Sequence, residues 1–305
     1  MLLTLASLSV FLAEHWWVAE LFSHLRLYYA IALLACVTVL LWLRPRIAAL
    51  CLLPLLFNLV PLVPLYLPAS AVTTGQKWTL IHYNLDRSAA NHDTAFAYLR
   101  AQNAQILLLQ EVTPALQQRF VSELPAYDVA AAQPMDNTQG SALLVHRAAP
   151  IELQESAIIA LPEYSTRPLL SATLTLGEQQ LRLLSMQATR PQNATSSAFQ
   201  GIELDAFASW SRAQQADGTA LLLVGDINTT PWSARFQHLL KRGQLRDSAA
   251  GYGLQGNWPA SFPPLLRLPI NHCLANAQIA VVSRSSGPAL GGDHTPLLLT
   301  FVIRE

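Results

Sequence analysis

Hydrophobic and polar positions divide this chain into two unlike parts. Through residue 70 the apolar runs are long and barely interrupted, whereas beyond it apolar stretches of strand length alternate with helical patterns. A helix needs about 20 apolar residues to cross a bilayer. Residues 47–67 carry no charge and meet that length; residues 27–43 are slightly shorter but place Tyr28, Tyr29 and Trp42 at their ends, where aromatic rings suit the interface. Residues 1–22 form a third candidate, interrupted in its second half by Glu14, His15 and Glu20. The pattern therefore predicts about three transmembrane helices. A cleaved signal peptide fits poorly, because there is no charged leading segment and no small-residue cleavage site. Pro54, Pro61 and Pro64 would disrupt a soluble helix and are better tolerated in lipid. Arg44-Pro45-Arg46 is the turn between the second and third spans, and by the positive-inside rule it faces the cytoplasm. The following body then lies across the membrane, which in a Gram-negative cell means a multi-pass inner-membrane protein with a periplasmic domain.

The expected organisation is an anchor over residues 1–70, a linker over 71–77 within a run of small residues, and one body over 78–305. Within the body, strands are predicted at 78–85, 105–110, 141–146, 169–176, 181–187, 221–224, 269–275 and 296–302. Helices are predicted at 93–102, after Thr113-Pro114, at 201–214 and at 233–240. Several strands follow one another by short turns while long helices fall between others. That mixture indicates an α+β protein with two packed sheets and helices outside them, and not a simple alternating sheet.

Composition sharpens this division. Only 12% of the 305 residues are charged, against about 25% in an ordinary soluble domain. The first 70 residues contribute Glu14, Glu20, Arg26, Arg44 and Arg46; the rest carries 16 basic and 17 acidic side chains, a net of −1. Lys77 and Lys241 are the only lysines, so no strong electrostatic track for duplex nucleic acid is present. Cys36 and Cys51 lie in the apolar block and Cys273 is alone in the body, which excludes a disulfide-stapled domain.

The informative chemistry sits where apolar strands end: Asn84 and Asp86, Glu111, Asp226 and Asn228, and Asp293-His294. A single polar residue at a strand terminus is usually a turn or cap residue. Four clusters of carboxylates and amides from distant parts of the chain suggest oxygen ligands for a hard cation, Mg2+ or Mn2+, which takes one or two carboxylates, water and substrate phosphate. No zinc spacing, P-loop or dinucleotide fingerprint is present. Trp210, Trp232 and Trp258 read as packing residues, with Trp232 and Trp258 the two placed to line a cleft.

Residues 78–305 resemble the endonuclease/exonuclease/phosphatase superfamily. The resemblance runs in order through Tyr83-Asn84-Leu85-Asp86, Leu109-Gln110-Glu111-Val112, Gly225-Asp226-Ile227-Asn228 and Gly292-Asp293-His294-Thr295-Pro296. The segment from Asp226 to Trp232 and the apolar leader are similar to its membrane-bound bacterial branch. The resemblance implies a four-layered sandwich, two β-sheets flanked by helices, that hydrolyses a phosphoester with an in-line water. It also implies that Glu111 is the principal metal ligand, with Asn84, Asp86 and Asp293 around the same ion. Asp226 would orient or deprotonate the water, Asn228 would bond the phosphate or nucleophile, and His294 would donate to a phosphate oxygen.

Two positions depart from the family. Gln187 stands where many members have a phosphate-contacting His, and Asn271 stands where an Asp pairs with the C-terminal His. Gln187 retains hydrogen bonding to substrate but not proton transfer. Asn271 orients His294 but supplies no charge to favour imidazolium. His272, adjacent on the strand, faces the other way. The expected function is a membrane-anchored, Mg2+- or Mn2+-dependent phosphoester hydrolase of reduced activity, its substrate class open. The alternative is a catalytically silent anchored domain that binds a phosphorylated ligand or partner protein.

Overall fold

The computed structural model describes residues 2–13, 16–67 and 74–304. Residues 71–73 of the expected linker, and Glu14 and His15, lie outside the described residues. The N-terminal block comprises α1 (Leu2–Leu8), continued by a short 3-10 helix, then α2 (Trp17–Ser23), α3 (Arg26–Leu43) and α4 (Pro45–Leu59), which a second 3-10 helix extends to Leu65. Among the described residues two helical segments, Arg26–Leu43 and Pro45–Leu65, are long and apolar enough to cross a membrane, not about three. The correction has a physical cause. The helical run that starts at Leu2 ends at Leu12 and the next helix starts at Trp17, and Glu20, one of the charges that interrupt the apolar run, is buried against the body, where its Oε1 accepts from Ser233 Oγ at 2.5 Å. By contrast, only 33% and 28% of the two long windows is buried, with Leu34, Val39, Trp42, Leu50 and Leu53 facing outward.

The body contains two six-stranded sheets. The first runs in the order β11 (Ile279–Ser286), β12 (Leu297–Ile303), β1 (Trp78–Asn84), β2 (Ile106–Gln110), β4 (Ser141–His146), β3 (Tyr127–Gln133). The second runs β5 (Ile151–Ala160), β6 (Pro168–Leu176), β7 (Gln179–Gln187), β8 (Ala220–Asp226), β10 (Asn271–Ala275), β9 (Arg246–Asp247). Helices α5 (Asp93–Gln102) and α6 (Pro114–Glu123) cover the first sheet; α7 (Ala194–Gln214) and α8 (Ala234–Gly243) cover the second. This is the expected four-layered sandwich.

Three apolar layers hold it together. Trp78, Leu80, Leu108, Leu174, Leu183, Leu222 and Phe301 fill the space between the sheets. Ile81, Leu107 and Leu109 turn the other way, onto Phe96 and Phe120 of α5 and α6. Successive residues of β1 and β2 are thus buried on opposite faces, which explains their unbroken apolar runs. Each such side chain contributes roughly 1.5–3 kcal/mol on burial, whereas an exposed pair such as Arg147–Asp128 contributes at most about 1 kcal/mol. The layers, not the surface ion pairs, stabilise the fold. Helix boundaries follow from local chemistry. Thr113 Oγ1 caps α6 ahead of Pro114, Asn193 and Ser196 form a capping box on α7, and α5 ends on Asn103 in the left-handed region.

The N-terminal block docks on this body. Ser233, which caps α8 through its hydroxyl, is the same residue that donates to Glu20. His24 Nδ1 lies 2.9 Å from Thr230 Oγ1, and Trp232 Nε1 donates to the His24 carbonyl at 3.2 Å. Leu27, Leu62 and Leu65 pack on Trp232 and Ala249. Tyr28 Oη donates to the Leu266 carbonyl at 2.6 Å.

Close approach of backbones is tightest at Gly225 (φ +151°), where a Cβ would lie 1.8 Å from the Met186 carbonyl oxygen and 2.7 Å from Gln110 Nε2. Gly225→Ala is therefore expected to destabilise the protein by about 3 kcal/mol. For a domain of this size that lowers the melting temperature by roughly 6–12 °C, measured on the purified chain; an unchanged temperature would contradict the packing described.

Candidate active site

The two parallel pairs, β1 with β2 and β7 with β8, point their carboxyl ends to one end of the sandwich, and β10 and β12 start there. In register, Asn84 lies beside Gln110, and Gln187 and Asn271 both lie beside Asp226. The chain leaves these strands through left-handed residues: Asp86 (φ 52°), Glu111 (φ 58°) and Asn228 (φ 51°). Asp and Asn tolerate this region; for Glu111 it costs about 1–2 kcal/mol. The surroundings hold it there: Val112 N–H donates to the Gly140 carbonyl and Met135 N–H to the Val112 carbonyl.

Two polar groups meet at this end. In the first, Glu111 Oε1 accepts from Asn84 Nδ2 at 3.1 Å and Oε2 from the Arg87 N–H at 3.2 Å. Asn84 Oδ1 accepts the Asp86 N–H at 3.0 Å, and Asp86 Oδ2 accepts the Asp293 N–H at 3.1 Å. In the second, Asp226 Oδ1 accepts the Asn228 N–H at 2.9 Å, and Asn228 Nδ2 donates to the Ala188 carbonyl at 3.1 Å. His294 joins the groups, its Nε2 lying 3.7 Å from both Asp226 Oδ2 and Asp293 Oδ1. Asn84, Asp86, Glu111, Asp226, Asn228, Asp293 and His294 are thus brought together.

The two departures also sit here. Asn271 Oδ1 accepts from His294 Nδ1 at 3.0 Å, so the neutral ring carries its proton on Nδ1 and turns a bare Nε2 toward the carboxylates. Asn271 Nδ2 is buried with no hydrogen-bond partner among the described residues, a cost of about 1–3 kcal/mol. Gln187 Nε2 donates to the Thr138 carbonyl. Its amide ties down the loop that carries Gly140. His272 bonds the Thr229 carbonyl through Nε2 and packs on Phe236, away from the site.

Electrostatics single out Asp226. Burial pushes its carboxyl up to about 7; the Asn228 N–H acts against this, Glu111 and Asp293 add to it and Arg190 opposes it. Burial likewise raises Glu111, against its bonds from Asn84 and Arg87 and with a push from Asp293 and Asp86. Asp293, half-exposed, is raised as well, by desolvation first and by Asp86. Burial lowers His294 to about 3. Crowded carboxylates that resist ionisation are where a cation relieves most repulsion. Among the described residues no three acidic, His or Cys groups converge tightly enough to form a closed all-protein cage. The donor set, Glu111 with the Asn84 amide and two flanking aspartates, fits an ion of the Mg2+ type, which keeps much of its coordination for water and phosphate.

Sequence reasoning missed two participants, Gln110 and Arg190, and named a third, Trp258, only as a residue that could line a cleft. Gln110 reaches from β2 to the second sheet: Nε2 donates to Ser185 Oγ at 3.1 Å and the Met186 carbonyl at 2.6 Å, and Oε1 accepts the Asp226 N–H at 3.1 Å. A polar residue closing an apolar strand was its signal. Trp258, one of the two tryptophans placed to line a cleft, donates from Nε1 to Asp293 Oδ2 at 3.1 Å. The Arg190 guanidinium lies 4.9 Å over the Trp258 ring, with its charge acting on Asp226, Asp293 and His294; no spacing in the sequence marked it.

Comparison with known proteins agrees with this fold. No curated protein sequence matches the chain. D. rerio TDP2 complexed with single-strand DNA product superposes with a TM-score of 0.61 at 17% identity, over 74% of this chain and 99% of that one. An endonuclease/exonuclease/phosphatase family protein from Bacteroides thetaiotaomicron gives 0.58 at 15% identity, over 76% and 100%. The mannosyl-6-phosphatase of the same organism gives 0.56 at 16%, over 74% and 100%. These likenesses establish the fold. The family profile itself matches residues 81–294, which span the first and last polar clusters of the site, and the chain belongs to the Endonuclease/Exonuclease/phosphatase family.

Proposed function

We propose that the chain is a membrane-anchored, divalent-cation-dependent phosphoester hydrolase of the membrane-bound bacterial branch of this family. The observation that carries the reading is the meeting of Asp226 and His294 with the Glu111 group at one end of the sandwich. Glu111, Asn84, Asp86 and Asp293 would hold Mg2+ or Mn2+, which supplies Lewis-acid stabilisation of phosphate charge when bound. Asp226, with a carboxyl near 7, accepts a proton from the attacking water. The water oxygen bonds to phosphorus, the ester P–O bond breaks, and the departing oxygen takes a proton from solvent. Asn228 steadies Asp226 through its N–H. A phosphate oxygen beside His294 Nε2 favours the protonated ring, which then donates to it; Asn271 orients that ring without adding charge.

The second reading, a silent domain that binds a phosphorylated ligand, draws on the same two substitutions. Asn271 lacks the charge of a carboxylate, and the Gln187 amide is engaged by Thr138. Phosphodiester hydrolysis by the purified full chain with Mg2+ or Mn2+ separates the two.

For the anchor we propose two spans, the segments Arg26–Leu43 and Pro45–Leu65, with Arg44 and Arg46 on the cytoplasmic side. The apolar surface they turn outward suits lipid. In a Gram-negative cell the body is then periplasmic, reached through the 71–77 linker.

Reporter fusions after Arg46 and after Leu67 are expected to report opposite sides of the membrane; the same side for both rejects the hairpin. Glu111→Gln keeps the shape and removes the charge, so Mg2+ or Mn2+ affinity measured by calorimetry should fall at least tenfold with the fold intact. Unchanged affinity would place the cation elsewhere. Asn271→Asp removes the orphan amide and sets a carboxylate against His294 Nδ1. It should raise the ring's pKa by at least one unit, about 1.4 kcal/mol, read by NMR titration. Hydrolysis near neutral pH should rise about tenfold and vanish when Glu111→Gln is added. A faster wild type would show that the amide is an adaptation, not a loss.

A further inference from the structure

Residues 258–266, Trp-Pro-Ala-Ser-Phe-Pro-Pro-Leu-Leu, carry no charge and expose Phe262 (48%) and Leu265 (60%). One end of this loop is at the site: Trp258 bonds the Asp293 carboxylate and the Ala260 N–H donates to the Asp293 carbonyl at 2.8 Å. The other end is at the anchor, where the Leu266 carbonyl accepts from Tyr28 in the first turn of α3. Six residues of chain reach at most about 20 Å, and the 3-10 turn at Pro264–Leu266 shortens that. The acidic cluster is therefore close to the level at which α3, the first proposed span, begins.

Much of the loop's backbone is hydrogen-bonded within the chain. Arg267 donates to the Ala260 and Phe262 carbonyls at 2.9 and 2.7 Å. Phe262, Leu266 and Arg267 N–H groups bond the carbonyls of Pro259, Pro263 and Pro264. Pro263 and Pro264 have no N–H to satisfy. A loop surrounded by water has no need of this economy, because water satisfies its backbone; a loop entering a bilayer interface does.

We infer that residues 258–266 form a membrane-contact surface that turns the cleft toward the bilayer, so that the substrate is a phosphoester carried by a membrane lipid. This rests on the hydrolase reading above for the chemistry, and on the two-span anchor for the plane. Phe262 and Leu265 enter the interface beside Tyr28. Arg267 holds the loop's carbonyls from below, and Trp258 carries the loop's position to Asp293.

The test uses the full chain in nanodiscs of phosphatidylethanolamine, phosphatidylglycerol and cardiolipin, with a trace of phospholipid bearing a diazirine near the headgroup. After illumination, peptide mass spectrometry should find adducts at Phe262 and Leu265 as well as in α3 and α4. Adducts confined to the helices overturn the contact surface whatever the activity. In parallel, lipid consumption and hydrolysis of soluble bis(p-nitrophenyl) phosphate are followed with Mg2+. Wild type should consume at least one lipid, and Phe262→Ser with Leu265→Ser should slow that about tenfold while changing the soluble rate less than twofold. Turnover of the soluble diester with every lipid intact overturns the substrate class, and so does equal loss of both rates in the double variant. If neither substrate is turned over, the hydrolase reading fails, and with it the lipid substrate; the labelling arm still decides the contact surface.

Discussion

The side chain of Gln110 fixes the distance between the halves of the site. It belongs to the first sheet, yet its amide spends both its oxygen and its nitrogen on the second, gripping Ser185 and Met186 of β7 and the Asp226 N–H of β8. Glu111 follows it directly, so the Glu111 carboxylate of one sheet and the Asp226 carboxylate of the other are set by a single buried, satisfied group. Such a group stabilises only while all its bonds are made, since an unpaired amide in a low-dielectric core is costly. Gly225 lets the strands come close enough for the bonds to form.

Desolvation and charge oppose each other around that bridge. Asp226 is buried and surrounded by Glu111 and Asp293, so its carboxyl holds its proton to about 7, while His294 at 3.7 Å gives its proton up early. The polar residues are tied to one another and to backbone, leaving Asp293 the most accessible. A site built this way has little room for rearrangement; its strain, visible in the left-handed Glu111, is held by the packing of Val112 and Gly140. Preorganised charge of this kind acts where charge changes during reaction.

The N-terminal helices contribute to the same construction. Glu20, His24 and Leu27 bear on Ser233, Thr230 and Trp232, in the segment that begins at Asp226 and passes through Asn228. A block that only tethered the body would have no reason to bury a Glu and a His there. Through Tyr28 the same block meets the loop that steadies Trp258 against Asp293.

By itself the amino-acid sequence determined the layers and pointed to the polar strand ends that meet at one end of the sandwich. The central strands are buried on both faces, so β1, β2, β7 and β8 stand out as apolar runs, each closing on polar residues. The four strands it did not reveal, β3, β5, β9 and β11, are the four sheet edges. An edge strand packs on fewer neighbours and tolerates polar residues, as in Ile151–Ala160, so hydrophobicity leaves little trace of it. Tertiary structure alone decided that Glu20 belongs to the body and not to a third span, that Gln187 bonds Thr138, and that Arg190 and Trp258 face the acidic cluster. Each of these is a contact between residues far apart in the chain, and such contacts depend on how layers meet, which no local pattern of polar and apolar residues encodes.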